Sequence, residues 1–436
     1  MKYTTKSFPD EADVLVVGGG PAGMMAAIAA AGAGARVTLL EKNGLLGRKL
    51  RITGKGRCNL TNDCDRDTFL SNVPANPRFL YGAFAGFSNA DVKAFFEGLG
   101  VPLKTERGNR VFPISDRASD VAEAMERACR RLGVRILRET VTGLTVSDGC
   151  VRGVRTAGGE LSAAAVIVAT GGVSYPLTGS TGDGHRFARA AGHTVTPLLP
   201  SLVPLTSHGG LCPSMQGLSL RNVGVRIVRV ADGKTAYTDF GELMFTHFGV
   251  TGPTILSASA HLSDIVPGRY ELQIDLKPAL DAQKLDTRVL ADLGKYRNRD
   301  LSNALVDLLP RKLIPAFVGA CGVSGDKKVH EITKAERAGI VETLKCFRVP
   351  LDGFRPIAEA IVTRGGVSTK ELSPKTMESR LCHGLYFAGE VIDVDAYTGG
   401  FNLQIAFSTG HAAGLAAAEQ ARKEETVFDE THSDRD

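Results

Sequence analysis

Residues 18–23, Gly-Gly-Gly-Pro-Ala-Gly, constrain the fold of this chain more than any other segment. They follow the short apolar run Val14–Val17 and open an Ala-rich segment over residues 21–33, whose pattern predicts a helix ended by glycine. Residues 36–40 then resume as a strand. Together the three segments predict a β-α-β unit, whose sheet should be parallel and covered on both faces.

The glycine spacing GxGxxG between a strand and a helix predicts a bound dinucleotide. Gly18 allows the tight turn, Gly20 lets the backbone approach the pyrophosphate, and Gly23 lets the helix and strand pack closely. The pyrophosphate would lie at Pro21 and Ala22, because the free N–H groups and the dipole of a helix N-terminus favour negative charge. NAD and FAD both satisfy this part of the pattern.

The ends of two further strands refine the choice of dinucleotide. Glu41 ends the second strand, and its carboxylate should accept hydrogen bonds from the adenosine ribose, which disfavours the 2′-phosphate of NADP. Residues 385–390 read as a strand ending in Gly-Glu, and a Gly-Gly helix start follows within residues 397–404. Glu390 could bind the ribityl hydroxyls, and the helix N–H groups could stabilise the charge of reduced flavin. This segment favours FAD over a plain strand-to-helix turn.

The dinucleotide domain is predicted to be split by insertions. Prolines interrupt the chain after residue 196, residues 223–230 and 269–276 have the pattern of antiparallel strands, and residues 277–345 are charged and helical in pattern. Strand patterns return at residues 354–362, and a long helix is expected over residues 402–421. We predict a FAD-binding domain, first part, at 1–195, an inserted β domain at 196–277, a helical insertion at 278–345, a return strand of the β domain at 346–364, and the second part of the FAD-binding domain at 365–436, with a frayed acidic tail.

Composition limits the remaining function classes. A net charge of +5 over 436 residues permits an anionic partner without demanding one. The eight cysteines are scattered with no CxxC pair and no histidine at metal spacing, which predicts a reduced, cytoplasmic protein without a metal site. Asp10 and Glu11 precede any apolar run, so no signal peptide is expected. The most apolar stretch, residues 24–35, is too short to span a bilayer, and we expect no contact with a membrane.

A basic loop follows the second strand. Arg48, Lys49, Arg51, Lys55 and Arg57 place five positive charges in ten residues. One or two of them could neutralise the pyrophosphate, and the others could receive an anionic substrate. A solvated basic loop is the alternative.

Three residues are candidates for catalysis. Cys58 lies in the basic loop, where nearby cations could lower its pKa; it could donate a proton opposite the hydride or pack against the flavin. His247, within the segment THFGVTGP, is a second candidate acid or gate, and Tyr397 stands beside the flavin-facing turn. Structural roles are the alternative for all three.

These motifs together resemble a known family. The segments VVGGGPAG, EK followed by GRK and GRCNLTN, ATGG with TGSTGDG, HFGVTGP, RGGV and FAGEVIDVDAYTGGFNLQIA are similar to those of the BaiN/RdsA-type (YhiN-like) NAD(P)/FAD-dependent oxidoreductases, over roughly residues 13–413. The resemblance implies an α/β fold with a split Rossmann-like FAD-binding domain (GR2-like), an inserted β-barrel-like domain and a small helical subdomain. The FAD contacts that it implies are Gly18, Gly20, Ala22, Gly23, Glu41, Lys42, Arg48, Lys49, Arg57, Cys58, Asn59, Val141, Thr170, Gly171, Gly389, Glu390, Gly400, Asn402 and Leu403.

The resemblance also implies a FAD-dependent oxidoreductase. NAD(P)H would be a transient donor in the same cleft, since no second strand-GxGxxG-helix is visible, and the reduced flavin would pass hydride to an electron-poor C=C or C=N bond. Family members are linked to the reduction of uridine to dihydrouridine in 23S ribosomal RNA, and the basic loop and the slightly basic helical insertion are compatible with that substrate. Reduction of a bile-acid or steroid-like C=C bond, oxidation of small aminoketones, and a non-catalytic flavin-bound RNA-binding module are the alternatives. The sequence leaves the oligomeric state open.

Overall fold

The structure, a computed structural model, describes the backbone of residues 12–433 and the side chains of residues 12–423. Its strands are β1 Val14–Val17, β2 Val37–Leu40, β3 Thr61–Asn62, β4 Leu103–Glu106, β5 Arg110–Pro113, β6 Arg135–Leu137, β7 Val141–Ser147, β8 Cys150–Thr156, β9 Gly159–Ser162, β10 Ala165–Val168, β11 Leu199–Ser201, β12 Leu205–Thr206, β13 Ser219–Arg229, β14 Thr235–Phe245, β15 Gly249–Thr251, β16 Tyr270–Asp275, β17 Phe347–Leu351, β18 Gly353–Phe354, β19 Val362–Arg364 and β20 Leu385–Phe387. Its α-helices are α1 Pro21–Gly32, α2 Arg48–Ile52, α3 Arg66–Ser71, α4 Tyr81–Gly86, α5 Asn89–Gly98, α6 Ala118–Arg131, α7 Asp183–Ala190, α8 Leu211–Ser214, α9 Pro253–Ser259, α10 Ala282–Gly294, α11 Leu301–Ala304, α12 Ile314–Cys321, α13 Lys334–Lys345 and α14 Phe401–Ser433.

The chain forms two compact units. The first comprises Met1–Leu199 with Ile361–Asp436, and the second comprises Pro200–Ala360. The observed boundaries, 199/200 and 360/361, each differ by four residues from the 195/196 and 364/365 boundaries expected from the sequence. The side chains of the tail after residue 424, where we expected fraying, lie outside the described residues.

A five-stranded parallel sheet forms the centre of the first unit, in the order β20-β10-β1-β2-β6. Strands β1, β2 and β10 are buried along their whole length, as expected of parallel strands covered on both faces. The predicted β-α-β unit is confirmed, with each element within one residue of its expected bounds. The carboxyl ends of these strands therefore meet along one edge of the sheet.

Helix α14 packs along α1 through small residues. A Cβ built on Gly410 would collide with the carbonyl oxygen of Ala22, and one built on Gly414 with that of Ala26. This register places residue 401, the start of α14, opposite position 13, eight residues before the start of α1. At 1.5 Å per residue, α14 extends about 12 Å beyond the N-terminus of α1. The two helices run parallel, so their N-termini lie at different points along the shared helix direction within the first unit.

The first unit also contains two three-stranded antiparallel sheets. Strands β3, β5 and β4 form one sheet, in that order, and β7, β8 and β9 form a meander. The predicted strand at residues 151–155 is the centre of β8. Within residues 12–433, no helix combines the length and apolarity needed to cross a bilayer.

The second unit contains a seven-stranded sheet in the order β17-β16-β13-β14-β15-β12-β18. Its two edge strands are separated in sequence by Asp352 alone, so the sheet curves until its edges adjoin, as a barrel-like domain requires. The predicted helical insertion shares one apolar core with these strands, in which Leu285 and Phe317 are buried together with Leu272. The predicted strand over residues 354–362 is wrong in its middle, where Pro356 precedes a 3₁₀ turn at Ile357–Glu359.

Candidate functional site

The glycine turn after β1 is built for close backbone approach. Gly18 has a φ of +107°, and a Cβ there would lie 2.6 Å from the carbonyl oxygen of Ala169 at the end of β10. A Cβ on Gly23 would collide with the carbonyl oxygen of Gly18. Gly20, the N-cap of α1, has no atom within 4 Å of a built Cβ. The helix N-terminus therefore opens onto unfilled space where an anion could lie.

Glu41 is buried beside this turn with a fixed carboxylate. One oxygen accepts a hydrogen bond from the backbone N–H of Gly19 at 2.8 Å, and the other accepts from the backbone and side-chain nitrogens of Asn43 at 2.8 and 2.7 Å. A carboxylate offers about four acceptor positions, so the position left over could accept from a ribose hydroxyl. The predicted ribose contact is compatible with this geometry and stays a prediction.

The start of α14 is shaped by two glycines in the left-handed region. Gly399 has a φ of +128° and Gly400 of +101°, and a Cβ on Gly400 would collide with the backbone of Thr61 in β3. The Asn402 side chain holds this turn, because its oxygen accepts from the Ala396 N–H at 2.9 Å and its amide donates to the Ala396 carbonyl at 2.7 Å. Any flavin contact here would be made by backbone N–H groups, including that of the partly buried Leu403.

Other predicted contacts lie at strand ends of the same unit. Gly389 has a φ of +75°, donates its N–H to the Thr409 hydroxyl at 2.9 Å, and would place a Cβ 2.8 Å from Cβ of Ala22. Gly171 follows β10 with a φ of +73°. Val141 is buried and begins β7.

Two predicted contacts carry buried polar atoms that the described residues leave without a hydrogen-bond partner. They are Oδ1 of Asn59 and Oγ1 of Thr170. Such atoms are rare in native proteins and call for a bound group or water. Thr170 lies against the turn at Gly18, and Asn59 precedes β3, whose Thr61 lies against Gly400. With the open space at Gly20 and the offset of about 12 Å between the two helix N-termini, these positions fit an extended dinucleotide.

Lys49 and Glu390, both predicted as cofactor contacts, bind each other. Their charged atoms are 2.6 Å apart, and the side chains are 20% and 19% exposed. Lys49 also donates to the Ser174 hydroxyl at 2.6 Å, while Glu390 accepts from the Thr363 N–H at 2.9 Å and from Ser174 at 3.0 Å. Burial acts to raise the pKa of Glu390, but the charge and hydrogen bond of Lys49, together with the hydrogen bonds from Thr363 and Ser174, outweigh it and hold that pKa below its ordinary value. The pair links α2 to the end of β20.

The other predicted cationic contacts also have protein partners. Lys42 lies 2.7 Å from Asp183, and Arg48 donates to the Asn43 side chain at 2.8 Å. Arg57 binds Glu106 and Asp116 and covers the ring of Phe112 at 4.2 Å. Arg51 lies 3.2 Å from Glu123. The basic loop is therefore largely neutralised, because Lys49, Arg51 and Arg57 each have a carboxylate partner.

The expectation that nearby cations lower the pKa of Cys58 is wrong. The thiol is fully buried, and this burial raises its pKa to about 12, although a hydrogen bond with Thr53 acts in the opposite direction. The adjacent cation, Arg57, is already paired with carboxylates. Cys58 also has a φ of +62°, which is strained for a side chain other than glycine. Cys58 is thus a neutral, buried acid in a strained loop.

His247 and Tyr397 differ in their surroundings. His247 lies in the second unit, is exposed, and has its ring edge-on to Phe248 at 5.0 Å between centroids. Tyr397 is partly buried in the first unit, and its N–H donates to the carbonyl of Asn72 at 3.0 Å. Their catalytic roles stay predictions.

Sequence reasoning missed several polar residues that position the site. Ser174 and Thr363 bind Glu390, and the buried Gln404 accepts a hydrogen bond from the Thr61 hydroxyl at 2.6 Å. Asn62 donates to the carbonyl of Gly399 at 3.1 Å. Thr61 and Asn62 lie in the motif GRCNLTN, Gln404 lies in GGFNLQ, and Thr363 directly precedes RGGV. These polar residues could have been found in the sequence by their position within or next to the glycine motifs.

Comparisons with known proteins agree with this architecture. The model of the HI0933-like protein Rossmann domain matches residues 12–416. A 3-dehydro-bile acid delta(4,6)-reductase of Clostridium scindens is 32% identical over 415 residues, which cover 93% of this chain and 98% of that protein. A ribosomal RNA dihydrouridine synthase of Escherichia coli is 32% identical over 403 residues, which cover 92% of this chain and 96% of that protein.

Among solved structures, a 3-ketosteroid-delta4-(5alpha)-dehydrogenase of Rhodococcus jostii RHA1 matches with a TM-score of 0.51 at 17% identity, over 95% of this chain and 98% of that one. At that identity the match supports the fold alone. The family match and the two relatives confirm the resemblance read from the motifs: the chain belongs to the HI0933-like family and is a FAD-dependent oxidoreductase.

Proposed function

We propose that this protein uses NAD(P)H and bound FAD to reduce a C=C bond conjugated with a carbonyl group, and that its substrate is uridine in 23S ribosomal RNA. The name of the E. coli relative supports the substrate, because dihydrouridine is uridine with its ring C=C bond reduced. The name of the C. scindens relative supports the reaction class, since it too denotes reduction at C=C bonds.

The names of both relatives carry the assignment to a reduction, and the buried Cys58 thiol is our candidate for its proton donor. Reducing a C=C bond adds a hydride to one carbon and a proton to the other, so the site needs a neutral acid that is shielded from water. A thiol with a pKa raised to about 12 remains protonated throughout the neutral range.

The residues of the first unit divide the work of holding the cofactor. The N-terminus of α1 at Gly20 would bind the pyrophosphate, Glu41 the ribose, and the backbone of residues 399–403 the flavin pyrimidine. FAD, when bound, supplies the two-electron redox chemistry. The Lys49–Glu390 pair and Asn402 orient the segments that make these contacts, and Cys58 supplies the proton.

Reduction of a bile-acid or steroid-like C=C bond is the second candidate. The C. scindens relative favours it, at the same 32% identity as the E. coli relative. A planar enone and a uracil ring present the same reacting group, so the pair of substrates can be compared in one assay.

The test is anaerobic reduction and reoxidation of the purified flavoprotein. NADH or NADPH should bleach the flavin absorbance, and an unmodified 23S rRNA transcript should restore it and gain two hydrogens at one uridine by mass spectrometry. A 3-oxo-Δ4 bile acid serves as the competing oxidant. Reoxidation by the bile acid alone would overturn the RNA assignment, and reoxidation by neither would overturn C=C reduction.

A further inference from the structure

We infer that the β4–β5 hairpin, together with Lys55, binds the phosphates of an RNA substrate beside the catalytic site. We call the exposed cations of this surface, Lys55, Arg107 and Arg110, the basic hairpin cluster. Lys55 belongs to it because the preceding Gly54 lies against β5, where a built Cβ would be 3.6 Å from the ring of Phe112. The inference rests on the proposed function, because it names the part of the surface that holds the RNA while a uridine is reduced.

The hairpin is attached directly to the turn that opens α14. Strand β3 pairs with β5 through Thr61 opposite Val111, and Thr61 also lies against Gly400. The side-chain amide of Asn62, which is only 5% exposed, donates to the carbonyl of Gly108 at 3.0 Å and to that of Gly399 at 3.1 Å. One buried amide therefore joins the tip of the hairpin to the proposed flavin-facing turn.

The hairpin tip has a defined backbone. Gly108 and Asn109 both have positive φ values, +77° and +58°. The Asp63 N–H donates to the Asn109 carbonyl at 2.7 Å, and Nε of Arg110 donates to the Arg107 carbonyl at 3.1 Å. Arg107 and Arg110 are thus presented from a fixed turn and not from a long loop.

Some cations of this surface are paired with carboxylates, and the three cations of the basic hairpin cluster are not. Arg57 and Lys104 are paired with Glu106 and Asp116, two cations against two carboxylates. Among the described residues, no carboxylate lies within 4 Å of the charged atoms of the basic hairpin cluster. Its three cations are exposed, so they can bind an anion without giving up an ion pair.

A phosphodiester backbone matches these three cations better than a small anion does. A bile acid carries one carboxylate, whereas an RNA strand presents successive phosphates to neighbouring side chains. The Arg110 guanidinium also lies 5.8 Å from the ring centre of the buried Phe112, an arrangement that steadies a planar group able to stack on a base. The cluster gives affinity and placement, while the uridine is recognised in the site.

The test replaces all three cations at once: Lys55→Gln, Arg107→Gln and Arg110→Gln. Binding of a labelled 23S rRNA fragment is measured over a range of salt concentrations with the FAD-loaded protein. For single-stranded RNA, each phosphate contact contributes about 0.7 to the slope of log affinity against log salt concentration. Loss of three contacts should therefore lower this slope by about 2 and raise the dissociation constant roughly 100-fold at about 0.1 M salt. The matched control replaces three exposed cations of the second unit that lack a carboxylate partner among the described residues, Arg297, Arg311 and Lys334, by Gln.

The outcomes separate the two proposals. FAD content, bleaching by NAD(P)H and reoxidation by a bile acid should be unchanged in the hairpin variant, because none of its residues is among the FAD contacts that the family resemblance implies; a loss of FAD would assign Lys55 to the pyrophosphate and overturn its place in the cluster. If wild-type protein reduces the rRNA and the hairpin variant binds it with unchanged affinity and salt slope, the hairpin inference is overturned and the proposed function stands. If neither protein is reoxidised by any rRNA, the proposed substrate is overturned. An equal loss of affinity in the control variant would also overturn the hairpin inference, because it would show that RNA binding depends on the total surface charge and not on this cluster.

Discussion

Replacing Lys49 by Met should destabilise the protein through Glu390. The Lys49 ammonium lies 2.6 Å from the Glu390 carboxylate, and each side chain is about one-fifth exposed. The variant keeps an unbranched side chain that is one atom shorter and removes its charge. Glu390 then remains in its place with hydrogen bonds only from Ser174 and Thr363.

The magnitude follows from the pair's distance and burial. At 2.6 Å and an effective dielectric constant of about 20, the attraction is about 6 kcal/mol. The cost of taking each ion out of water is several kcal/mol, so the net value of the intact pair is small. Removing Lys49 alone loses the attraction and keeps the cost for Glu390. We expect the free energy of unfolding to fall by about 3 kcal/mol, and by less in the double variant with Glu390→Gln.

The pH dependence identifies the carboxylate as the cause. In the wild type the pKa of Glu390 is lowered, so its contribution to stability is present above the unfolded pKa of about 4.3 and is lost as pH falls through the folded pKa. Without Lys49, only the hydrogen bonds of Thr363 and Ser174 oppose the effect of burial, so the folded pKa of Glu390 rises. The penalty of the variant should therefore grow as pH rises from the lowered wild-type pKa of Glu390 to its higher pKa in the variant, by at most about 1.4 kcal/mol per pH unit.

Urea unfolding of the four proteins of the double-mutant cycle, at several pH values and with FAD content recorded, measures both effects. Lys93→Met is the matched control, because Lys93 and Asp63 form a more exposed pair, 29% and 38%, whose loss should cost less than about 1 kcal/mol. A coupling energy below about 0.5 kcal/mol, or a penalty that does not change with pH, would refute the reasoning.

Three further predictions concern the cofactor and proton transfer. Gly400→Ala should lower the FAD bound per chain, because its Cβ would collide with Thr61 at a φ of +101°; full flavin occupancy would contradict the role of this turn. Cys58→Ser should retain FAD but slow single-turnover reoxidation by substrate, whereas Cys64→Ser should not; equal rates would leave Cys58 a packing residue. Glu41→Ala should weaken FAD retention, measured by flavin loss on dilution, and an unchanged dissociation rate would remove the ribose contact.

The sequence predicts the central β-α-β unit because its information is local. Apolar runs such as Val14–Val17 and Val37–Leu40, and the Gly-rich turn between β1 and α1, are visible within a short window. Strand β3 has only two residues, Thr61–Asn62, and no alternating pattern that could be recognised. Its importance comes from its neighbours on both sides, the hairpin and the turn of α14, which only the folded chain brings together.

The chemistry of the site was harder to predict because charge pairing is not local. Lys49 and Glu390 are 341 positions apart, so the sequence shows a cation and an acid and not an ion pair. The same limitation produced the wrong pKa for Cys58. Its neighbour Arg57 reads as an activating charge in the sequence, whereas in the structure Glu106 and Asp116 neutralise it and burial dominates.

The pairing of charges also changes which part of the surface is expected to bind RNA. The sequence places five cations at residues 48–57 and suggests that this loop receives an anionic substrate. Three of the five are bound to carboxylates and contribute little to a long-range field. Of the other two, Arg48 donates to the Asn43 side chain and Lys55 remains, and the hairpin adds Arg107 and Arg110 at a place that Asn62 joins to the proposed flavin-facing turn. The position of an RNA strand is therefore indicated by the cations that have no carboxylate partner among the described residues, and not by the total number of cations in a segment.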